Sequence, residues 1–279
     1  MLEVKDLSTG YEGKTILSGV SFTVPSPTII GLVGPNGSGK STLLKSIGGI
    51  HPFDGEILFD AHPLSSYRTT ERVHRLSYVA QHSGEAIPLT VREVVELGCR
   101  AGRGPFSQAH EGDEAVIAEA LMHTSLDDIA GTRLSELSGG QVQRAMVARA
   151  MAQRASVMLL DEPTNHLDLH HQYRLMELLT HICSEHRTIV ILAIHDLGLA
   201  ARYCDTIILL NNGSVEKMGT PLEVLTSEVL ARVFRVRGKF TTSEHGFPLL
   251  TIDGALLPGN ANPLTLPLHS AQTNCPALN

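Results

Sequence analysis

The stretch that decides the fold is Gly34-Pro35-Asn36-Gly37-Ser38-Gly39-Lys40-Ser41-Thr42, which matches the phosphate-loop pattern G-x-x-x-x-G-K-[ST]. The apolar residues 28–33 before it predict a buried β-strand, and residues 43–47 predict the start of a helix. Glycines let a backbone approach phosphates closely because no Cβ intervenes. We therefore expect the N–H groups of residues 37–42 to bind phosphate at the start of this helix.

Four side chains extend this phosphate site into a reaction centre. Lys40 is expected to reach the β- and γ-phosphates of a nucleotide, and the Ser41 hydroxyl to ligate Mg²⁺. An apolar run at 157–160 predicts a strand that ends at Asp161 and Glu162. Asp161 suits a Walker B carboxylate that holds Mg²⁺, and Glu162 suits a general base worth about 10²–10⁴-fold in rate. The alternative for this pair is a solvated strand end.

Composition restricts the class of protein. The chain has 279 residues, is 42% hydrophobic and carries a formal net charge of −7, so it can build a core and shows no sign of binding nucleic acid. Its four cysteines include no C-x-x-C pair, which predicts reduced thiols in the cytoplasm. We expect no signal peptide, and no apolar stretch reaches the ~20 residues of a membrane helix.

The apolar patterns along the chain predict an α/β fold. Residues 2–24 alternate apolar and polar side chains, as short antiparallel strands do. The continuous apolar runs at 157–160 and 188–194 favour buried parallel strands, with active-site residues at their C-terminal ends. Further strands are predicted at residues 55–59, 76–79, 207–210 and 214–216. Helical spacing is present at residues 91–97, 115–122, 142–151 and 221–234.

These patterns predict a P-loop NTPase core with a parallel central sheet, an N-terminal antiparallel β subdomain and an inserted helical subdomain. The nucleotide-binding domain is expected to span residues 1–234, with the helical insertion at about 88–152. Residues 235–257 form a short C-terminal extension that includes a small β element. The tail at 258–279 is rich in proline and poor in charge, so we expect it to be poorly ordered.

A second helix start also suits an anion. Leu137-Ser138-Gly139-Gly140-Gln141 precedes the helical stretch 142–151. The two glycines and the Ser138 hydroxyl offer donors at a helix N-terminus. The alternative is an ordinary serine N-cap followed by permissive glycines, and spacing alone favours that alternative.

The pentapeptide at 137–141 makes a resemblance specific. It matches in full the signature segment of the ATPase subunits of ATP-binding cassette (ABC) transporters, and the chain resembles that family over residues 2–234. By this resemblance Tyr11 stacks on adenine, and Gln81 senses Mg²⁺, the attacking water and the transport partner. Asp168 is the carboxylate of the segment that crosses a dimer interface, and His195 is the switch histidine that contacts the γ-phosphate.

Each of these four residues also has a simpler interpretation. Tyr11 could be a surface tyrosine, and Gln81 a polar residue that merely follows a strand. Asp168 could cap the helix that begins at Leu169. His195 could be a histidine with its hydrogen bonds satisfied at the end of an apolar strand.

The resemblance implies a composite active site. Two copies would face head to tail and enclose two ATP molecules. Ser138, Gly139, Gly140 and Gln141 of one copy would complete the phosphate site built on Lys40 of the other. Hydrolysis would then drive separate transmembrane permease subunits, with a substrate-binding protein as an indirect partner, from the cytoplasmic face of the membrane.

Peripheral segments resemble one class of importer. The segment 131–136 lacks the glutamate-rich sequence that many exporters carry before the signature. The segments 89–98 and 233–249 resemble importers of iron–siderophore complexes, haem or cobalamin. A zinc or manganese importer is the close alternative. A soluble ABC ATPase and a P-loop kinase are the more distant ones, and a kinase would leave residues 137–141 without a role.

Overall fold

A computed structural model describes residues 1–25, 27–80, 88–103, 110–165 and 167–256. Two predictions therefore lie outside the described residues, namely the placement of Gln81 and the order of the tail at 258–279. His166, in the segment expected to cross a dimer interface, also lies outside them.

The described residues contain twelve strands and nine α-helices. The strands are β1 (Leu2–Tyr11), β2 (Lys14–Val24), β3 (Thr28–Val33), β4 (Asp54–Phe59), β5 (His62–Pro63), β6 (Leu76–Val79), β7 (Val157–Asp161), β8 (Ile189–Ala193), β9 (Thr206–Asn211), β10 (Ser214–Gly219), β11 (Val236–Thr242) and β12 (Pro248–Ala255). The α-helices are α1 (Lys40–Ile47), α2 (Thr69–Arg72), α3 (Val91–Cys99), α4 (Asp113–His123), α5 (Gly139–Ala152), α6 (Leu169–Glu185), α7 (Leu197–Tyr203), α8 (Pro221–Val224) and α9 (Ser227–Arg232).

The central sheet positions the reaction centre. Its six strands have the order β10-β9-β3-β8-β7-β6, and all neighbouring pairs run parallel except β10 with β9. Every residue of β3, β7 and β8 is buried, which explains their continuous apolar sequences. The C-terminal ends of parallel strands meet at one edge, so the loop after β3, Asp161 at the end of β7 and His195 after β8 emerge together. The predicted parallel core is confirmed.

The first helix, α1, is held between two sheets. The N-terminal sheet is antiparallel, with the order β2-β1-β4-β5, as predicted. Leu43 and Leu44 of α1 share one apolar core with Leu7 and Leu17 of that sheet and with Ile30 of β3. All five side chains are fully buried. Packing on both sides therefore fixes the helix that follows the phosphate loop.

The predicted helical insertion is present as α3, α4 and α5, which follow β6 in the chain and pack on one another. The helices α3 and α5 come very close at Gly98, where a Cβ would lie 2.0 Å from the carbonyl oxygen of Arg149. Ala145 and Ala148 on the buried side of α5 are also small. This close packing fixes α5 against α3 near Arg149.

The structure differs from the sequence predictions at several helix boundaries, among them the start of α5 at Gly139 rather than at residue 142. α1 begins at Lys40, inside the phosphate loop, rather than at residue 43. The helix expected over 221–234 is two short helices, because the Thr226 hydroxyl accepts a hydrogen bond from Val229 N at 3.3 Å and starts α9 separately. The predicted β element after residue 235 is confirmed as the hairpin of β11 and β12. The short helices α2 and α7 were not predicted.

Among the helices of the described residues, none has both the length and the apolar character required to cross a bilayer.

Candidate active site

The loop between β3 and α1 has a backbone that only glycine tolerates at its last turn. Gly39 precedes α1 with a φ of +101°, and a Cβ there would lie 2.4 Å from Leu17 Cδ2. A larger residue would have to leave this conformation or push the N-terminal sheet away. Glycine at position 39 therefore allows the loop to pack closely against Leu17 of the neighbouring sheet.

The start of α1 is arranged for an anion. Gly39 provides no side-chain cap, and the first turn contains no acidic residue. The hydroxyl of Ser38 is buried and has no hydrogen-bond partner among the described residues. Unsatisfied buried donors are costly, and uncapped N–H groups at a helix start attract negative charge. Both observations suit a phosphate group.

Lys40 supplies the positive charge of this loop. Its side chain is 5% exposed, and Nζ donates to the carbonyl oxygens of Gly34 at 2.9 Å and Pro35 at 3.2 Å. Burial lowers the pKa of Lys40, and the nearby carboxylates of Glu162 and Asp161 oppose that shift. The ammonium group thus lies between the loop carbonyls and the carboxylates at the end of β7.

Ser41 and Asp161 form an oxygen-rich pair. The Ser41 hydroxyl donates to Oδ1 of Asp161 at 2.8 Å, and the Tyr78 hydroxyl donates to Oδ2 at 3.3 Å. Asp161 is 2% exposed. Burial raises the pKa of Asp161, whereas the hydrogen bonds from Ser41 and Tyr78 oppose the shift. Hydroxyl and carboxylate oxygens are the ligands that Mg²⁺ prefers, so this donor set fits that ion.

Glu162 is held at both carboxylate oxygens. Oε1 lies 2.5 Å from Nε2 of His195, and Oε2 accepts a hydrogen bond from Nδ2 of Asn165 at 2.5 Å. The backbone of Glu162 has a φ of +53°, which is rare for a residue other than glycine and is often found at functional sites. The Glu162 carboxylate thus has other partners than that of its neighbour Asp161, which is bonded to Ser41 and Tyr78.

These groups surround one cleft of about 730 Å³, which we call the phosphate-loop cleft. Tyr11 lies on its wall and is 45% exposed. Asp161 is linked to this wall by the hydrogen bond that it accepts from Ser41. The residues that line it are Tyr11, Ile16, Asn36, Gly37, Gly39, Lys40, Ser41, Thr42, Glu162, Asn165 and His195.

The start of α5 lies at a different cleft. Here the Ser138 hydroxyl accepts from Gln141 N at 3.3 Å, and the Gln141 side chain accepts from Ser138 N at 2.9 Å. This reciprocal capping box is the simpler alternative that the sequence left open, and the structure contains it. The surrounding space, which we call the signature cleft, is about 360 Å³ and is lined by Ser138, Gly139, Gly140, Gln141, Arg144, Leu167, Asp168 and His171.

Asp168 lies in the signature cleft as the cap of α6. Its Oδ1 accepts from the backbone N–H of His171 at 2.9 Å and lies 2.8 Å from Nδ1 of the same residue. These hydrogen bonds to His171 hold the pKa of Asp168 below its usual value. The capping role is therefore present, and it also sets the carboxylate beside the signature segment.

The predicted site residues thus form two groups. Tyr11, the phosphate loop, Asp161, Glu162 and His195 lie together, whereas Ser138 to Gln141 and Asp168 line the other cleft. Sequence reasoning did not assign Tyr78 or Asn165 to the reaction centre. Asn165 could have been suspected from its separation of three residues from Glu162, but Tyr78 reaches Asp161 only through the parallel pairing of β6 with β7.

The comparison with known families decides the identity. A family model described as ABC transporter matches residues 17–165, a range that contains the phosphate loop, the signature segment and the Asp161-Glu162 pair. This chain belongs to the ABC transporter family. The resemblance stated from the motifs is confirmed, as is the predicted fold class.

Individual ABC proteins resemble the chain over most of its length. The hemin import ATP-binding protein HmuV of Pseudomonas aeruginosa is 38% identical over 90% of this chain and 99% of its own length. The ferric enterobactin transport ATP-binding protein FepC of Escherichia coli is 32% identical over 94% and 97%. The cobalamin import ATP-binding protein BtuD of Halobacterium salinarum is 39% identical over 85% of this chain, which spans 59% of that longer relative.

Solved ABC structures share the fold. The dimeric ATP-binding cassette MJ0796 bound to ADP and Pi superposes with a TM-score of 0.70 at 30% identity, covering 79% of this chain and 99% of that one. The structure of cbiO1 from Clostridium perfringens, part of the ABC transporter complex cbiONQ, has a TM-score of 0.70 at 27% identity and covers 84% and 96%.

Proposed function

We propose that this chain is the ATP-hydrolysing subunit of an ABC importer. The observation that carries the proposal is the phosphate-loop cleft, where an uncapped helix start, the Ser41–Asp161 pair and the Glu162–His195 pair meet. Family membership supports the same activity.

The phosphate loop binds the nucleotide. The N–H groups at the start of α1 and the Ser38 hydroxyl donate to phosphate oxygens, and the Lys40 ammonium exchanges its loop carbonyl partners for the β- and γ-phosphates. Tyr11 stacks on the adenine from the wall of the cleft. Lys40 is buried, so its charge acts in a medium of lower dielectric than water.

Mg²⁺ would be held by Ser41 and Asp161, with Gln81 as a further ligand from outside the described residues. The ion would neutralise charge on the phosphates. Tyr78 orients Asp161 through the second carboxylate oxygen. Burial leaves Asp161 with a raised pKa, which the charge of Lys45 only partly offsets, and this environment suits a carboxylate placed for a cation.

Glu162 acts as the general base. It accepts a proton from the water that attacks the γ-phosphate, while Asn165 and His195 fix the direction of its two oxygens. An ionised carboxylate can only accept hydrogen bonds, so Nε2 of His195 carries the proton in this contact. His195 can then turn its donor toward the γ-phosphate.

The signature cleft acts on the nucleotide of a second copy. Its residues line a space separate from the phosphate-loop cleft of the same chain. A head-to-tail homodimer would bring Ser138, Gly139, Gly140 and Gln141 of one copy to the phosphates bound by the other. The similar cassette MJ0796 is dimeric, which supports a dimer of this chain.

For cargo we propose an iron–siderophore complex, haem or cobalamin. Three relatives support this cargo, since they are ATP-binding proteins of hemin import, ferric enterobactin transport and cobalamin import. The chain would act at the cytoplasmic face of the membrane, bound to separate permease subunits that receive cargo from a substrate-binding protein.

The first experiment tests the chemistry. Glu162→Gln should lower Mg²⁺-dependent ATP hydrolysis by about 10²–10⁴-fold, because the general base is removed, while binding of a fluorescent ATP analogue is retained. Glu177→Gln is the matched control, since Glu177 lies on α6 with a side chain that is 56% exposed. A Glu162→Gln chain that hydrolyses ATP at the rate of the control would contradict the proposal.

The second experiment tests the cargo. The chain is reconstituted in lipid vesicles with the permease encoded beside it, and ATP-dependent uptake of haem, a ferric siderophore and cobalamin is measured. Uptake of one of these, lost in the Glu162→Gln chain, is expected. Uptake of Zn²⁺ or Mn²⁺ instead would contradict the cargo while leaving the ATPase assignment intact.

A further inference from the structure

A histidine outside every motif of the chain packs against the ring of Tyr11. The ring centroids of Tyr11 and His51 are 4.3 Å apart, with an angle of 31° between the ring planes. Aromatic pairs at such distances attract each other beyond the area that they bury. Tyr11 lines the phosphate-loop cleft, whereas His51 is not among the described residues that line it. His51 therefore supports the ring without forming the wall.

The backbone around His51 is fixed by the C-terminal end of α1. After the helix, Gly49 adopts a φ of +67°, and the chain turns back on itself. The N–H groups of Ile50 and His51 both donate to the carbonyl oxygen of Lys45, at 2.9 Å and 3.2 Å. The turn that carries His51 is thus part of the same rigid unit as the phosphate loop.

Two further hydrogen bonds join this turn to β1. Nε2 of His51 lies 3.1 Å from the carbonyl oxygen of Gly10, and the Thr9 hydroxyl donates to the carbonyl oxygen of Pro52 at 2.6 Å. A carbonyl oxygen only accepts, so Nε2 carries the proton and the imidazole orientation is set. The residues next to Tyr11 are therefore attached to the end of α1 at two points.

Tyr11 needs such support because it ends a strand. It is the last residue of β1, directly before the hairpin turn at Glu12 and Gly13, and it is 45% exposed. An exposed ring at a turn keeps several rotamers open and loses that freedom when a base stacks on it. A ring already packed on one face has less freedom to lose.

We propose that His51 is a positioning residue for the nucleobase, acting through Tyr11. This inference rests on the proposed ATPase function and extends it. The N-terminus of α1 binds the phosphates, while the turn at its C-terminal end orders the ring that receives the base. One helix of eight residues therefore sets both ends of the nucleotide site.

The test separates the base from the phosphates. Affinities for ATP and for inorganic tripolyphosphate are measured by calorimetry on the full chain and on His51→Ala, His51→Phe and His51→Gln. We expect His51→Ala and His51→Gln to weaken ATP binding by about three- to tenfold, the range of a lost aromatic contact, with tripolyphosphate affinity unchanged. His51→Phe, which keeps a ring, should stay close to the wild type. His62→Ala is the matched control, since His62 lies near another tyrosine, Tyr67, at 6.4 Å.

A double variant shows whether His51 acts through Tyr11. Adding His51→Ala to Tyr11→Ala should weaken ATP binding no further than Tyr11→Ala alone. Additive losses, equal losses for tripolyphosphate, or no loss in His51→Ala would each overturn the inference. Should His51→Ala fail to fold, the pair His51→Phe and His51→Gln decides the same question.

Failure of the proposed function has a different signature in these measurements. In that case the wild-type chain would bind neither ATP nor tripolyphosphate, or Tyr11→Ala would bind ATP with wild-type affinity. The inference about His51 fails by itself when ATP binds, Tyr11→Ala weakens it and the His51 variants do not.

Discussion

The helices α1 and α5 both begin beside glycines, but their first turns are built differently. α1 follows Gly39, has no side-chain cap and starts in a cleft with the buried Lys40. α5 follows Ser138 and begins with a capping box that uses the N–H groups of Ser138 and Gln141 at an exposed position. The first helix leaves its N-terminal donors without a side-chain cap, which suits the proposed binding of phosphate by the same chain. The second is stable without a ligand, as expected of a surface that meets its ligand only when another copy arrives.

The environments of the two helix starts also differ in charge. Around α1 burial shifts two ionisable groups, because it lowers the pKa of Lys40 and raises that of Asp161. At α5 the nearby Asp168 has a lowered pKa, since its carboxylate accepts hydrogen bonds from His171. Ionisable groups whose pKa is shifted by burial are frequent at active sites, which agrees with the proposed chemistry at α1.

The largest expected effect concerns the charge at α1. Lys40→Ala should abolish detectable ATP binding and lower hydrolysis by about 10²–10³-fold, as removal of a preorganised electrostatic donor does. Lys45→Ala, in the last turn of the same helix, is the matched control and should hydrolyse ATP normally. Equal rates of hydrolysis by Lys40→Ala and Lys45→Ala would contradict a special role for the charge at the start of α1.

A second variant gives α1 the cap that α5 has. Gly39→Ser should destabilise the chain by about 1–2 kcal/mol, since a left-handed backbone is unfavourable for a residue with a Cβ. The contact with Leu17 at 2.4 Å adds to that loss. Ser138→Gly, the reverse change at α5, should alter stability by only a few tenths of a kcal/mol. Urea unfolding measures the free energy of unfolding of both variants. A Gly39→Ser chain more stable than the Ser138→Gly chain would contradict the prediction.

The cap of α5 itself is expected to have a smaller effect. Ser138→Ala should lower the free energy of unfolding by about 1 kcal/mol, because a capping hydroxyl is lost. ATP affinity of the isolated chain should not change, since Ser138 does not line the phosphate-loop cleft of its own copy. Calorimetric titration with ATP provides the check, and weakened binding to single chains would contradict the separation of the clefts.

The smallest effect follows from the raised pKa of Asp161. A carboxyl with a higher pKa when folded binds more protons in the folded state, so its contribution to stability falls as the pH rises from its ordinary value of 3.8 through the raised pKa. The free energy of unfolding of Asp161→Asn should therefore rise relative to that of the wild type as the pH increases across this interval. Above the interval the difference between the two should be constant. Asp60→Asn is the control of opposite sign, because the N-terminal ammonium group lowers the pKa of Asp60. Urea unfolding at stepped pH measures both, and a constant Asp161→Asn difference would be the contrary result.

Local patterns predicted much of the fold and of the candidate site. The phosphate loop, the buried strands β7 and β8 and the cap at Ser138 depend on neighbouring residues, so spacing alone identified them. The position of Tyr78 beside Asp161 depends on strand pairing, in which Tyr78 lies opposite Leu159. The contact between His51 and Tyr11 depends on how α1 turns back toward β1. Such long-range contacts depend on how the elements pack together. Local sequence patterns do not predict that packing.

The break at Leu225 and Thr226 shows the same limit in a local element. Apolar spacing continues through residues 221–234, yet Thr226 caps a new helix. The spacing of apolar residues predicts which side chains are buried. It does not predict where the backbone changes direction. Gln81 and the tail at 258–279 remain predictions.

One measurement tests directly whether two copies complete each other's sites. Sedimentation of Glu162→Gln with ATP should show a dimer, and the same chain carrying Ser138→Arg should bind ATP equally well yet remain a monomer, because a large cation blocks the exposed start of α5. A dimer of unchanged stability in the double variant, or loss of ATP binding by its single chains, would contradict the composite site.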